Sequence, residues 1–353
     1  MNVADITSEF TDLLGEIEDE MRTVLGEHEG PVRPLYEMLA YHLGLDGPDG
    51  PRGKRIRPLI GLLAYRALTG DVETALPGAA AVELGHNFSL VHDDIEDANR
   101  ERRHRPTLWA IWGIPLAINA GDALFALSRL ALYRLLEHEV SEHRVLEVMR
   151  VYDETCLALC EGQYLDISFE RRTDVSVNEY LEMIGKKTAS LLAASAQAAA
   201  ILATNDPPTV KAFYSFGFEV GLAFQMADDL KGTFWTSEAS GKPVAGDVRK
   251  RKKTLPLVWA LEHATDPDLG RLREIYRMGA DAAAGDAPAA GTPMSDAEVA
   301  EVLGILGRCG ARDHASGEAE RYREMALTTI RNLPIPADRR EELASVVERS
   351  IAI

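Results

Sequence analysis

The stretch AAAVELGHNFSLVHDDIED, residues 79–97, decides the fold class. From Ala79 to Val91 the side chains are apolar almost all the way round a helix. A helix with no polar face has to be walled by other helices. Immediately after it come Asp93, Asp94, Glu96 and Asp97, so a buried helix delivers its carboxylates at one end. Leu191 to Leu202 has the same all-round apolar character and predicts a second central helix. Apolar residues recur at three-to-four spacing in Phe10–Leu25, Leu35–Leu43, Leu59–Leu68, Leu116–Leu136, Val145–Tyr164, Tyr180–Leu202, Val210–Leu230, Leu255–His263 and Ala297–Leu306, and period-two alternation is scarce. The expectation is one all-α domain over residues 1–353, about ten or more helices packed around two buried ones.

Breaks between these segments carry loop chemistry: Gly47-Pro48-Asp49-Gly50-Pro51, Asp206-Pro207-Pro208 and Gly241-Lys242-Pro243. Gly279 to Pro293, built of Ala, Gly and Asp without periodicity, reads as a surface loop. The formal charge of −18 excludes a nucleic-acid surface, which needs an excess of clustered cations. A phosphorylated substrate remains compatible, because a few local Lys and Arg can oppose the global field. Cys156, Cys160 and Cys309 are too few for a disulfide framework and suit a reducing, cytoplasmic setting. The acidic N-terminus lacks a signal pattern, and Leu191–Ala203 is too short to span a bilayer, so no membrane span is expected.

Asp93 and Asp97 are four apart on a helix and share a face, about 6 Å from each other. Stacked carboxylates repel unless a cation lies between them. Mg²⁺, which combines one or two carboxylates with substrate phosphates, fits that need. Phe224-Gln225-Met226-Ala227-Asp228-Asp229 ends another apolar helix with a second pair. Two such ends would form an acidic mouth able to hold a diphosphate only through metal. Cations gather at Gly53-Lys54-Arg55-Ile56-Arg57-Pro58, at Arg102-Arg103, at Lys187-Thr188, and at Lys242, Lys252 and Lys253. Those at 54–57 precede a helix, where they oppose its dipole unless an anion binds there. If the helix through Asp97 continues, Arg102 and Arg103 lie about a turn and a half beyond it. A second anion site made of Lys, Arg and His86 follows from this surplus.

These motifs, in this order, resemble the trans-prenyl diphosphate synthases (the polyprenyl synthetase family), and among them the geranylgeranyl diphosphate synthases. The resemblance rests on GKRIRP at 53–58, HNFSLVHDDIED at 86–97, RR at 102–103, GD at 121–122 and GQYLD at 162–166. KT at 187–188, FQMADD at 224–229, GKP at 241–243 and KKTLP at 252–256 complete it. It implies an antiparallel bundle around a deep central cavity of the isoprenoid synthase type, usually a homodimer, with two or three Mg²⁺ ions replaceable by Mn²⁺. Asp93, Asp94, Asp97 and Asp228 would hold metal on an allylic diphosphate (dimethylallyl, geranyl or farnesyl), assisted by Arg102, Lys187, Lys242 and Lys252. Lys54, Arg57, His86 and Arg103 would bind isopentenyl diphosphate. Gln163 and Asp166 would line the site, and Thr188 and Gln225 would stand among the substrate-binding residues.

Two positions depart from the family pattern. The second cluster commonly reads DDxxD, but its fifth position here is Gly232, which removes a ligand and invites the helix to fray. His104 stands where Gly usually follows the paired arginines. Product length is expected to depend on Phe88, five residues before Asp93 and about 7.5 Å along the axis, with small Ser89 beside it. An aromatic in that place resembles synthases of fifteen- to twenty-carbon products, and twenty is favoured. The rivals are a class I terpene cyclase on the same fold and a non-catalytic subunit of a heteromeric synthase.

Overall fold

The computed structural model describes residues 8–47, 50, 52–235, 245–282 and 294–351. Lys242, the loop at 241–243, residues 48, 49 and 51, and residues 283–293 of the expected Gly279–Pro293 loop lie outside the described residues. In chain order the helices are α1 (Thr11–Leu25), α2 (Arg33–Leu43), α3 (Ile56–Thr69), α4 (Leu76–Glu96), α5 (Leu108–Trp112), α6 (Ile114–Tyr133), α7 (Glu142–Glu170) and α8 (Val177–Ile184). They continue as α9 (Ser190–Ala203), α10 (Pro207–Phe234), α11 (Gly246–Arg249), α12 (Leu255–His263), α13 (Asp268–Ala282), α14 (Asp296–Arg308), α15 (Ala311–Asn332) and α16 (Ala337–Ser350). The fold is all-α, as expected. Among the described residues the strand content is one hairpin, β1 (Glu101–Arg102) antiparallel to β2 (Arg105–Pro106).

The chain divides into two compact units. The first comprises Met1–Cys156, Leu191–Gly217 and Thr329–Ser350. Its α4 packs against α6, α3 and α1, and α16 packs against α3. Pro77 begins α4 at a position where no N–H is needed. Ala80, Ala81, Leu84 and Val91 are buried along α4, and Leu191, Ala193, Ala196 and Ala200 along α9. Both apolar segments are thus walled in. Small residues set the spacing: a Cβ on Gly61 of α3 would meet Ser195 Oγ of α9, which donates to Arg57 O at 2.8 Å.

The second unit comprises Leu157–Ser190, Phe218–Thr328 and Ile351–Ile353. A capping box, Ser176 with Glu179, starts α8. Tyr180, Met183 and Ile184 then turn inward onto Met226, Leu230, Leu255 and Val258. A second cluster joins Leu272, Ile275 and Tyr276 of α13 to Val302, Ile305 and Leu306 of α14.

Three expectations are corrected. The helix through Asp97 does not continue to the arginines: α4 ends at Glu96 and the chain reverses through the β1–β2 hairpin. Gly279 begins no loop, because α13 runs on to Ala282. Gly232 neither frays nor ends α10, which continues to Phe234 with Trp235 N still donating to Lys231 O at 3.2 Å. Among the described residues one helical run, Ile114–His138, is long and apolar enough to cross a bilayer by length and composition, and only a third of it is buried.

Candidate active site

In the first unit the aspartate cluster sits at the C-terminal end of α4, where Asp97 N donates to Asp93 O at 2.8 Å and keeps the two one turn apart. Asp93 and Asp97 are part-exposed, whereas Asp94 is buried. Arg102 Nε donates to both Asp94 oxygens at 3.0 and 2.9 Å, and Nη2 reaches Oδ1 at 2.8 Å. Burial raises the Asp94 carboxyl above its usual range even though Arg102 pulls the other way. Asp94, expected as a metal ligand, therefore has a guanidinium for its partner here, and Asp93 and Asp97 are the more accessible of the three.

The hairpin that presents Arg102 and Arg103 turns on two residues with positive φ, Arg103 at 52° and His104 at 61°. A two-residue loop with both φ positive is the type I′ geometry that matches strand twist. Gly is its usual occupant, and His104 adopts the conformation at a steric cost. Arg103 is held against Gly53, where a Cβ would lie 2.8 Å from Nη2. Its Nη1 is buried without a hydrogen-bond partner. Burial also lowers the Arg103 pKa from its usual value. A buried guanidinium N–H with no acceptor is costly, and an incoming anion would satisfy it.

Nearby, Arg57 Nη1 lies 3.2 Å from His86 Nε2. Burial, then the charges of Arg57 and Arg103, hold the imidazole well below its ordinary pKa, so the neutral ring accepts from Arg57. Lys54 is exposed, but Arg55 is not a partner for a ligand. Its Nη1 donates to Glu83 at 2.6 Å and its Nη2 to Leu43 O at 2.5 Å, with Glu18 3.7 Å from Nε. Asn87 Nδ2 completes the knot on Glu83 at 2.9 Å. Of the three cations at 54–57, Arg55 is thus the internal anchor of the segment that carries Lys54 and Arg57. The motif spacing gave no hint of this division, because the counter-charges Glu18 and Glu83 lie on other helices.

The GD pair at 121–122 also finds a place. A Cβ on Gly121 would strike His92, whose ring packs there beside Asp93, with Nε2 3.6 Å from Asp122. Phe88 stands edge-on to Phe125 of α6 at 5.1 Å and to His92 at 6.0 Å. Ser89 Oγ is turned to His86 O at 2.8 Å.

The second unit brings together Asp166, Lys187, Thr188, Gln225 and the Asp228-Asp229 pair. Between α8 and α9 the chain widens into a π turn, Gly185–Ala189, that carries Lys187 and Thr188. Such turns recur at functional sites because they expose backbone and re-aim side chains. Gly162 explains the GQYLD motif, since a Cβ there would enter the Lys187 backbone. Lys187 Nζ donates to Asp166 at 2.5 Å. Thr188 Oγ1 donates to Gln225 Oε1 at 2.7 Å, and Gln225 Nε2 to Asp229 Oδ1 at 2.9 Å. Asp229 Oδ2 accepts from Tyr180 at 2.7 Å and from Leu255 N at 3.0 Å. Fully enclosed, Asp229 is pushed up to about 7, chiefly by burial. It is the internal member of the pair, and part-exposed Asp228 is the outward one. Tyr180, missed from the sequence because it reads as an ordinary apolar-face residue, is what fixes Asp229. Lys252 is part-exposed, while Lys253 is buried and donates to Glu170 O at 3.2 Å. Gln163 is part-buried on α7, one residue after Gly162.

No three His, Cys, Asp or Glu side chains among the described residues converge into a ready-made metal cage. That suits Mg²⁺, which keeps water and takes only one or two carboxylates beside substrate phosphates. Asp93 and Asp97 in the first unit, and Asp228 in the second, are part-exposed hard oxygen donors of the kind such an ion takes.

Residues 35–290 match the polyprenyl synthetase family model. The chain is 38% identical over 322 residues to a (2E,6E)-farnesyl diphosphate synthase of Mycobacterium tuberculosis, covering 90% of this chain and 84% of that one. A geranylgeranyl diphosphate synthase of the same organism is 41% identical over 243 residues, 67% of this chain and 68% of the other. Among solved structures, the geranylgeranyl pyrophosphate synthetase of Pyrococcus horikoshii superposes with a TM-score of 0.86 at 32% identity over 99% of both chains. With its all-α fold and paired aspartate helices, this chain belongs to the polyprenyl synthetase family.

Proposed function

We propose that the protein condenses an allylic diphosphate with isopentenyl diphosphate to give an all-trans prenyl diphosphate of medium length. The observation that carries this reading is the cationic cluster in the first unit: part-buried Arg103, whose buried Nη1 has no hydrogen-bond partner, beside the Arg57–His86 pair. A terpene cyclase on this fold binds one diphosphate and has no use for a second cation-lined site. A non-catalytic subunit has no use for an intact Asp93-Asp94-Asp97 cluster.

In the proposed reaction Asp93 and Asp97 in the first unit, and Asp228 in the second, would be the carboxylates that hold Mg²⁺, while buried Asp94 would fix the Arg102 guanidinium beside them. Bound there, the metal supplies positive charge where the leaving group gains negative charge. Arg102, Lys187, Lys242 and Lys252 add fixed positive charge, while Gln163, Asp166, Thr188 and Gln225 orient that end of the site. Lys54, Arg57, His86 and Arg103 hold isopentenyl diphosphate so that its double bond faces the allylic carbon. The allylic C–O bond breaks and its electron pair leaves with diphosphate. The double-bond pair of isopentenyl diphosphate then forms the 1′–4 carbon–carbon bond, and the resulting cation loses a proton to the released diphosphate. Apolar walls keep water from the cation.

The length assignment is geranylgeranyl diphosphate, with Phe88 as the floor. Two copies are proposed to pair through α6, whose Leu116, Leu130 and Tyr133 are half-exposed (50, 57 and 51%) on a helix with only Asp122 and Arg129 charged. A patch of that kind suits a second apolar face. The cysteines, with Cys156 buried and none of the three in a disulfide, suit a reducing cytoplasm.

The test is to incubate the purified protein with Mg²⁺, isopentenyl diphosphate and, in turn, dimethylallyl, geranyl and farnesyl diphosphate. Elongated diphosphates by mass spectrometry are the expected result. A hydrocarbon product would point to the cyclase, and no product with any primer would sink both readings.

A further inference from the structure

The second aspartate site has only one outward carboxylate of its own. Asp229 is consumed by Tyr180, Gln225 and Leu255 N, and the fifth position is Gly232. Yet the space that a side chain at 232 would fill is not empty. A Cβ built on Gly232 would fall inside the Asp247 carboxylate, with Cγ 2.5 Å and Oδ1 3.3 Å away. Residues 228 and 232 stand one turn apart on α10, so their Cβ positions are about 6 Å from each other on one face. Asp247 therefore puts its carboxylate on the Asp228 face, where the fifth residue of a complete motif would project its own.

The chain reaches this arrangement from the far side of the 236–244 segment. Ala245 is buried and left-handed at φ 51°, and Arg249 N donates back to Ala245 O at 2.9 Å. Lys252 N donates to Asp247 O at 3.0 Å, which ties down the backbone that carries the carboxylate. Val248, the next residue, is buried in the α13–α14 cluster. Nothing larger than glycine at 232 would leave room for the Asp247 carboxylate.

Resting on the function proposed above, we infer that Asp247 is the replacement for the missing fifth ligand: a carboxylate supplied from outside α10 that, with Asp228, holds the divalent cation of the second site. Gly232 is then a vacated position that admits the substitute.

The experiment measures Mn²⁺ binding to the full-length protein in the presence of inorganic diphosphate, by electron paramagnetic resonance of the free ion. Asp228→Asn, Asp247→Asn and the exchange variant Gly232→Asp/Asp247→Gly are compared with wild type, with melting in EDTA as the folding control. Asp247→Asn is expected to weaken at least one Mn²⁺ about tenfold or more, as Asp228→Asn does, with melting unchanged. The exchange variant, which returns the carboxylate to α10, is expected to bind within a few-fold of wild type. Wild-type affinity in Asp247→Asn overturns the inference, and so does an exchange variant that folds but binds no better than the single one. Should Asp247→Asn not fold, the exchange variant alone decides. If Asp228→Asn also binds as wild type does, the second site is not a metal site at all, whereas the elongation assay judges the activity separately.

Discussion

Arg103 and His104 show how one turn holds a ligand-facing cation at a local cost. Both have positive φ, which for an L-residue costs roughly 1–2 kcal/mol. Replacing His104 with Gly removes that strain without touching Arg103. His104→Gly is expected to stabilise the protein by about 1 kcal/mol in urea unfolding, with the Michaelis constant for isopentenyl diphosphate unchanged. Phe88 is the other single residue with a large expected effect. Its ring is wedged edge-on against Phe125 and His92, so truncation opens space one and a half turns before Asp93. Phe88→Ala is expected to shift the product by one or more five-carbon units by mass spectrometry, and an unchanged profile removes Phe88 as the floor. Of the motif residues, Asp93, Asp97, Arg57 and Arg103 stand out in the sequence because charge in an odd place suggests a ligand, and His86 because it shares their motif. Arg55, Asp94 and Asp229 carry charge too, but each is spoken for by a partner that is distant in sequence.

At the scale of the element, the π turn at 185–189 stands out. Periodicity predicts one helix from Tyr180 to Leu202, and a helix is what forms, except for this widened turn. The turn is seated by three glycines. Gly162 lies against the Lys187 backbone, Gly185 against Phe218 and Gly221 against Ala189. A methyl at 162 meets backbone atoms, which cannot swing aside. Gly162→Ala is therefore expected to move Lys187 and Thr188 and to lower kcat/KM for the allylic diphosphate by about a hundredfold. The measurement is steady-state kinetics alongside a melting curve that shows the variant folded. Helices α13, α15 and α16 were absent from the periodic segments, since their sequences are dominated by Arg, Glu and Asp. They fold because a few residues, such as Leu272, Ile330 and Val346, find buried sites on neighbours.

Over the whole molecule the net charge is −18, yet two histidines are held neutral beside arginines. Burial, followed by the charges of Arg103, Arg102 and Arg55, pushes His42 down to about 3. His86 is lowered for the same reason, with Arg57 the nearest charge. Both folded-state values lie below the ordinary histidine value of 6.5. Above that pH neither state takes up a proton and the full stability is present. As pH falls through it the unfolded chain binds protons that the folded one refuses, so stability drops by up to about 1.4 kcal/mol per pH unit for each histidine. Urea midpoints at pH 7 and pH 5 are expected to show this loss in wild type, and His42→Gln is expected to show a smaller one.

By itself, the sequence determined the helical class, the two enclosed helices, and the carboxylates and cations that a diphosphate chemistry needs. Those follow from local periodicity and from charges placed where solvation alone does not explain them. Only the tertiary structure decided which of those charges face outward. Arg102 was claimed by Asp94, Asp229 by Tyr180, and Arg55 by Glu83, because a buried charge must be paired by whatever the fold brings near it. The same holds for Gly232, which reads as a missing ligand along the chain. In the folded unit its place is taken by Asp247, fifteen positions along the chain (247 less 232), because the vacancy on α10 is the size of that carboxylate.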